Sequence, residues 1–482
     1  MWSRDGRRNN VLSAPRFDPG SFRDPAAQVF EYEGRILRAI YPSGFERLDA
    51  VLRSGLLPEL CRRGWLIGTA EVEEAPANLG LQPGSFRLLE HAPVPFLSYP
   101  YEWSFSQLKA AALLHLDIQI AALQHYDISL SDASAYNVQF VGGQPVFIDA
   151  LSFRPYRTGE YWLAHRQFCE QFLAPLVLTA ATGVSHNAIY RGMLDGLALS
   201  DVIRLLPART LLLPRVWMHL RLPARLEASP DAVNRAGKYR RGAGLPREGY
   251  LFMLRQLRKW IAGLKRPARK TTWQNYELIN PYSRDDLARK TEFVRRSVAS
   301  LKPALVFDLG CNTGAFSEAA LEAGAGYVVG FEPDPGALER AYERAARLEE
   351  KRFLPLNVDL ANPSPAQGWD ERERKGVFAR RRPDAVLALA IGHHLAIGRN
   401  IPIERFVVWL AGLADSGVVE FVGKDDPMVR SMLSLREDVF DDYSEQTFVA
   451  ALERHATILE HVVLPSGTRT LYRYTAAQRR SG

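Results

Sequence analysis

The spacing of apolar positions changes character near residue 304. Before it, short apolar runs alternate with Pro and Gly turns, and the period of two over 34–41 predicts a strand. Residues 45–64 carry apolar positions at helical spacing, and 103–124 is a long helical pattern. Alternation over 137–141 and 145–148, separated by Gly142-Gly143, predicts a β-hairpin. The pattern over 160–265 is mostly helical and ends in an amphipathic segment, 250–265, with Leu251, Leu254, Leu257, Ile261 and Leu264 on one face. Beyond 304, strands at 305–309, 327–331, 383–390 and 417–422 alternate with helices at 315–323 and 336–348. Runs at 461–464 and 471–474 flank Pro465-Ser-Gly467 as a final hairpin.

Strand–helix alternation builds a parallel sheet covered on both faces, and the closing hairpin adds an antiparallel strand. The expected fold is therefore α/β, with a Rossmann-like C-terminal sheet preceded by an α+β unit. The expected division is a loosely ordered 1–26, an α+β domain over 27–265, a linker and site-covering segment over 266–300, and a second domain over 301–482. The 267–272 stretch, Pro-Ala-Arg-Lys-Thr-Thr, reads as the linker itself.

With 47% hydrophobic and 24% charged residues, the 482-residue chain has the balance of a globular protein and excludes wholesale disorder. No uncharged run reaches the roughly 18 residues of a membrane helix. Basic residues at the start of the chain lack an apolar stretch behind them, so no secretory leader is expected. Cys61, Cys169 and Cys311 are far apart and form no CxxC. Neither a disulfide framework nor a structural zinc site is expected, and a reducing cytoplasm fits.

The turn after 305–309 carries the strongest chemistry. A glycine-rich turn between strand and helix lets a ligand approach the backbone and offers it the helix N-terminus. Asp308 and Glu332 fall at the carboxyl ends of the first two strands, a spacing suited to a carboxylate that holds ribose hydroxyls. Gly310 and Gly314 flank Asn312, which is not the G-x-G-x-x-G of a pyrophosphate site and argues against a nicotinamide dinucleotide.

Val306-Phe-Asp-Leu-Gly-Cys-Asn-Thr-Gly314 resembles the first motif of class I S-adenosylmethionine-dependent methyltransferases. Val329-Gly-Phe-Glu332 resembles their acidic motif, and Asn357-Val-Asp359 the residues that follow the third strand. The resemblance covers about 275–475. It implies S-adenosylmethionine as cofactor, with Gly310, Asn312 and Gly314 admitting it, Glu332 on the ribose and Asp359 near the adenine. His393-His394-Leu, Asn400-Ile-Pro402, Glu420-Phe-Val422, Asp425-Asp426, Arg436-Glu-Asp438 and Asp442-Tyr443 together resemble a bacterial methyltransferase family first noticed in nodulation and cell-surface contexts. His393 or His394 then stands on the acceptor side, where a neutral imidazole can take a proton. Packing beneath the cofactor is the alternative for both. Trp273, Tyr276, Tyr282, Lys290 and Phe293 precede the first strand, where such folds cover the cofactor. Lys290 is the candidate for its carboxylate, and plain packing is the alternative. Cys311 reads as a small apolar residue.

In the N-terminal half, Asp132, Asn137 and, after the hairpin, Asp149 resemble the catalytic and metal-binding loops of protein-kinase-like phosphotransferases. Leu130 replaces the residue that opens such a loop, Asp149 is followed by Ala-Leu-Ser, and neither a glycine-rich phosphate loop nor a strand lysine is found over 27–90. The resemblance is therefore to a degenerate kinase-like module.

Residues 201–290 carry 20 Lys and Arg against 7 Asp and Glu, a basic belt in a slightly acidic chain. Scattered aromatics and the lack of a recognisable module argue against nucleic acid. The expected acceptor is a small molecule or glycan, or a lipid-linked cell-surface intermediate. Weak contact with an anionic membrane surface is expected through the belt. The expected activity is methyl transfer. The alternatives are a bifunctional kinase-like methyltransferase and a non-catalytic cofactor-binding scaffold.

Overall fold

A computed structural model describes residues 14–73, 79, 85–227, 244–268, 283–434 and 436–477. The chain opens with an antiparallel sheet of β1 (Arg16–Phe17), β2 (Ala27–Tyr32), β3 (Arg35–Ile40), β4 (Thr69–Val72) and β5 (Arg87–His91), in the order β1-β2-β3-β5-β4. Residues 14–26 are more ordered than expected. β1 pairs with β2, and Arg23 donates to Glu373 in the C-terminal half at 2.5 and 2.9 Å. The single helix expected over 45–64 is two, α1 (Pro42–Ser54) and α2 (Leu56–Arg62), because Gly55 takes a φ of 75° and ends the first. β2, β4 and β5 were not anticipated. Their apolar positions are short runs cut by charged residues that pair across the sheet surface, as Arg35 does with Glu90.

The long helix α3 (Phe105–Tyr126) is capped by Ser104 and Gln107 and buries residues on most of its circumference. Short strands β6 (Ile128–Leu130), β7 (Val138–Val141), β8 (Gln144–Phe147) and β9 (Phe153–Pro155) follow, and β7–β8 is the expected hairpin. The amphipathic helix Arg247–Gly263 lays Leu251, Leu254, Leu257 and Ile261, all buried, onto the core that contains α3. Arg258 fixes it there through Asp117. Its apolar stripe is thus an interior surface.

The C-terminal sheet contains β10 (Leu305–Leu309), β11 (Tyr327–Phe331), β12 (Phe353–Leu356), β13 (Ala385–Ala388), β14 (Ser416–Val422), β15 (Ala456–Val463) and β16 (Arg469–Ala476). Their order is β12-β11-β10-β13-β14-β16-β15. β12, β11, β10, β13 and β14 are parallel neighbours, and the β15–β16 hairpin closes the sheet antiparallel. This is the Rossmann-like sheet with closing hairpin that the strand pattern predicts. The 266–300 segment is not all linker. Helix Arg284–Leu301 buries Phe293, Val294 and Val298 in the same cluster as Val306 and Leu387, so it belongs to the C-terminal unit. Of the linker proper, only 267 and 268 are described; Trp273, Tyr276 and Tyr282 lie outside the described residues.

The two halves share one core. Phe96 packs edge-on against Phe307 at 5.6 Å, and Arg380 donates to both oxygens of Glu102 at 2.6 and 2.7 Å with both side chains fully enclosed. The turn of the β7–β8 hairpin docks on the C-terminal unit, where the Gly142 amide donates to the Tyr327 hydroxyl at 2.9 Å. A Cβ on Gly142 would stand 2.4 Å from the Lys351 backbone, and its φ is +58°. Both the turn and the close approach therefore require glycine.

Candidate cofactor site at the carboxyl ends of the parallel strands

β10 runs into the turn from Gly310 to Gly314, and the chain then enters the helix Ala315–Glu322. Gly310, Asn312 and Gly314 have φ of +78°, +50° and +81°. The amides of Gly310 and Cys311 both donate to the Phe331 carbonyl, at 2.9 and 3.1 Å, which holds the turn over the end of β11. A Cβ on Gly314 would lie 2.6 Å from the Phe353 ring. Asn312 tolerates its left-handed backbone because its side chain accepts from the Thr313 amide at 2.8 Å. Cys311 is 4% exposed and packs against Gly330; burial pushes its thiol well up, as expected of a small apolar residue.

Glu332 follows β11 and is 6% exposed. Its two oxygens accept from the amides of Asn312 at 2.9 Å and Asp334 at 2.8 Å. Burial outweighs these bonds and pushes the carboxyl up to about 7. Asp308, 2% exposed, accepts from the Ser317 hydroxyl at 2.6 Å, and burial pushes it up to about 6. Among the described residues neither carboxylate forms an ion pair. Two acids are thus buried beside a turn whose backbone is held open, with lone pairs left for further donors.

Strand order reverses between β10 and β13, and ligands of open α/β sheets occupy the crevice at such a point. The far side of this crevice is Ile391 and the helix Gly392–Arg399. A Cβ on Gly310 would already touch Ile391 at 3.3 Å. His393 is 1% exposed, and neither ring nitrogen has a hydrogen-bond partner among the described residues. The His394 ring is 4.1 Å away. Burial lowers both imidazoles, His394 to about 4, so both are neutral at neutral pH.

Asp359 accepts from the Ala361 amide at 2.9 Å and from Arg399 at 3.0 Å, which ties the end of β12 to the histidine helix. Lys290 is not presented to a cleft. It donates to Glu420 at 2.7 Å, and Arg469 bridges Glu420 to Asp426, every side chain being at most 3% exposed. The charge proposed for a cofactor carboxylate is spent inside this network, which sequence reasoning missed because its members are 130 and 49 residues apart.

The N-terminal trio is also brought together. Asn137 donates to Asp132 at 3.1 Å and to Ser152 at 3.3 Å. Asp149 accepts from Ser152 and from Arg38 of β3, a partner not anticipated. Burial alone would raise the Asp149 carboxyl, but Arg38 and the hydrogen bonds hold it below its ordinary value.

The chain is 43% identical over 475 residues to the nodulation protein NoeA of Rhizobium meliloti strain 1021, across 97% of this chain and 98% of that one. It belongs to the NoeA family. A stretch of 118 residues is 29% identical to the tRNA U34 carboxymethyltransferase of Helicobacter acinonychis strain Sheeba, covering 23% of this chain and 44% of that protein. Among solved structures, the N-methyltransferase NodS of Bradyrhizobium japonicum WM9 with S-adenosyl-L-homocysteine aligns with 44% of this chain and 94% of its own, at 14% identity and a TM-score of 0.32. No protein-family profile matches the chain. Among the described residues no helix is long and apolar enough to cross a membrane.

Proposed function

We propose that this NoeA-family protein transfers a methyl group from S-adenosylmethionine to a hydroxyl or amine of a glycan or lipid-linked intermediate. The protein is a methyltransferase of class I, and its cofactor is S-adenosylmethionine. The observation that carries the assignment is Glu332, an acid without an ion pair among the described residues, buried at the end of the second parallel strand beside a turn built on positive-φ glycines. These residues fit the cofactor. Glu332 has lone pairs for two ribose hydroxyls, Asp308 stands beneath the turn, and Asp359 lies at the rim near the adenine position. The ring nitrogens of His393, without a hydrogen-bond partner among the described residues, mark a polar wall opposite. The cofactor supplies the methyl group on a sulfonium, its own leaving group. The residues of this chain need only orient the acceptor, exclude water and accept its proton. His394, less enclosed than His393, is the better placed of the pair to accept it.

The belt over 201–290 favours an anionic acceptor, by raising its local concentration rather than by reading it. The N-terminal unit serves as a degenerate kinase-like platform for that acceptor, its acidic trio closed by Arg38. Calorimetry of cofactor binding tests the core assignment. Glu332→Ala removes two hydrogen bonds to a charged group, about 3 kcal/mol, and lowers affinity about 100-fold; undiminished affinity overturns it. Labelled cofactor should deliver its methyl to a glycan or lipid pool. Label in RNA or protein overturns the acceptor class.

A further inference from the structure

A second group of chemistry-bearing side chains lies far from the cofactor turn, in the helical part of the N-terminal unit. His165 opens the short helix His165–Phe168, and Cys169 follows at the start of a π-helical turn, Cys169–Leu173. The i, i+4 spacing puts imidazole and thiol on one face. His219 comes from a second π-helical turn, Trp217–Arg221. Cys169 Sγ is 3.6 Å from His165 Nε2, which is 2.9 Å from His219 Nδ1. The three ligand atoms all lie within 4.8 Å of one another. Cys169 is fully buried, His219 is 4% exposed and His165 is half-buried.

We propose that His165, Cys169 and His219 bind a zinc ion. Two imidazoles and a thiolate are a borderline-soft donor set of the kind zinc takes. Tetrahedral zinc with its usual bond lengths sets its nitrogen and sulfur ligands about 3.6 Å apart and two nitrogens about 3.3 Å apart. The Cys169–His165 separation already has the first value. The histidine pair needs to open by about 0.4 Å, which a small ring rotation provides. Single π-turns inside helices are uncommon and concentrate at functional sites; here two of the three ligands sit on them. Binding deprotonates Cys169 and releases that proton to solvent. Three protein ligands leave a fourth position for water. The rings of Trp162, 5.9 Å from His165, and Trp260, 6.0 Å from His219, wall the site with apolar surface. The ion would clamp the segment around 217–221 onto the helices at 165–173. The proposal does not depend on the methyltransferase reading.

Full-length protein, purified untagged and without chelator, should carry about one zinc per chain by elemental analysis. Chelator should remove it and lower the melting temperature. Cobalt substitution should produce a near-ultraviolet thiolate-to-cobalt charge-transfer band that Cys169→Ser abolishes, and His219→Ala should weaken zinc at least about tenfold. If either variant folds poorly, the cobalt spectrum of the unaltered protein decides. A chain that holds no zinc and shows no such band, one that retains copper in its place, or a band that persists in Cys169→Ser overturns the proposal.

Discussion

The two acidic sites of this molecule are built from the same residue types, yet Asp149 in one and Glu332 in the other are left in opposite electrostatic states. In the N-terminal half, Asp149 meets a guanidinium, Asn137 donates to Asp132, and Ser152 completes the set. In the C-terminal half, Glu332 and Asp308 accept, among the described residues, from backbone amides and one hydroxyl, and burial raises both carboxyls. A buried carboxylate without a cation is costly, so it persists where something else supplies donors. The contrast lies between Asp149, which Arg38 satisfies, and Glu332, which no cation meets among the described residues; Asp132, raised by burial and by Asp149, sits between the two.

Removing Arg38 breaks this contrast with the largest effect. Its side chain is 11% exposed and that of Asp149 17%, so Arg38→Met strands a largely buried acid. Loss of one partner of a fully buried pair costs about 3–5 kcal/mol; partial exposure reduces that here to about 2–3 kcal/mol of unfolding free energy. Arg38→Met combined with Asp149→Asn should recover most of the loss in urea titrations, since the stranded charge is gone. A double variant no more stable than the single one would show that Arg38 does not act as the counter-charge of Asp149.

How much of each site was legible in the sequence follows from how local it is. The turn from Asp308 to Gly314 is a continuous stretch whose backbone demands particular residue types, and Glu332 follows a strand that its own apolar run announces. Everything joined across long separations was hidden. Arg38 and Asp149 are 111 residues apart, and Glu102 and Arg380 are 278 apart; nothing in the local pattern around either member names its partner. The same holds for His165, Cys169 and His219, where a His and a Cys four apart give no signature until a residue 54 positions from His165 joins them. Lys290 was a candidate for the cofactor carboxylate from its place before the first strand, with plain packing as the alternative; its ammonium is committed to Glu420, 130 residues away. Gly55 misled, because its helical surroundings concealed the break.

The pH dependence of cofactor binding sharpens the comparison with a smaller effect. Burial lifts the Glu332 carboxyl from its ordinary 4.5 to about 7, so the cofactor-free protein holds a proton there below that pH. In the free protein this shift favours the fold at acid pH, and that contribution is lost as pH rises through about 7. In the proposed site ribose hydroxyls would donate to the ionised form, so binding would expel the proton. Affinity should be flat above about pH 7 and fall by at most tenfold per pH unit below it. Asp308, at about 6, titrates lower and leaves the upper part of the window to Glu332. Glu332→Gln should bind more weakly at pH 8 and show a flat profile from 8 to 6. An unaltered protein with a flat profile over that range would remove Glu332 from the ribose.

The basic belt should give the smallest effect, because the structure has already used part of it. The apolar stripe of the helix Arg247–Gly263 is interior. Arg258 is held by Asp117 and Arg255 by Gln124, whereas exposed Lys259 has no partner among the described residues. An unpaired cation near an anionic surface contributes about 1 kcal/mol, and paired ones contribute less. Neutralising Arg255, Arg258 and Lys259 together should therefore weaken association with phosphatidylserine vesicles only a few-fold at low salt, measured by co-sedimentation. Salt at about 1 M shortens the screening length to about 3 Å and should abolish the binding altogether. Equal binding to neutral vesicles would mean that apolar contact, not charge, carries the association. Tight binding to RNA in the same buffer would move the belt, and the acceptor class with it, to a nucleic acid.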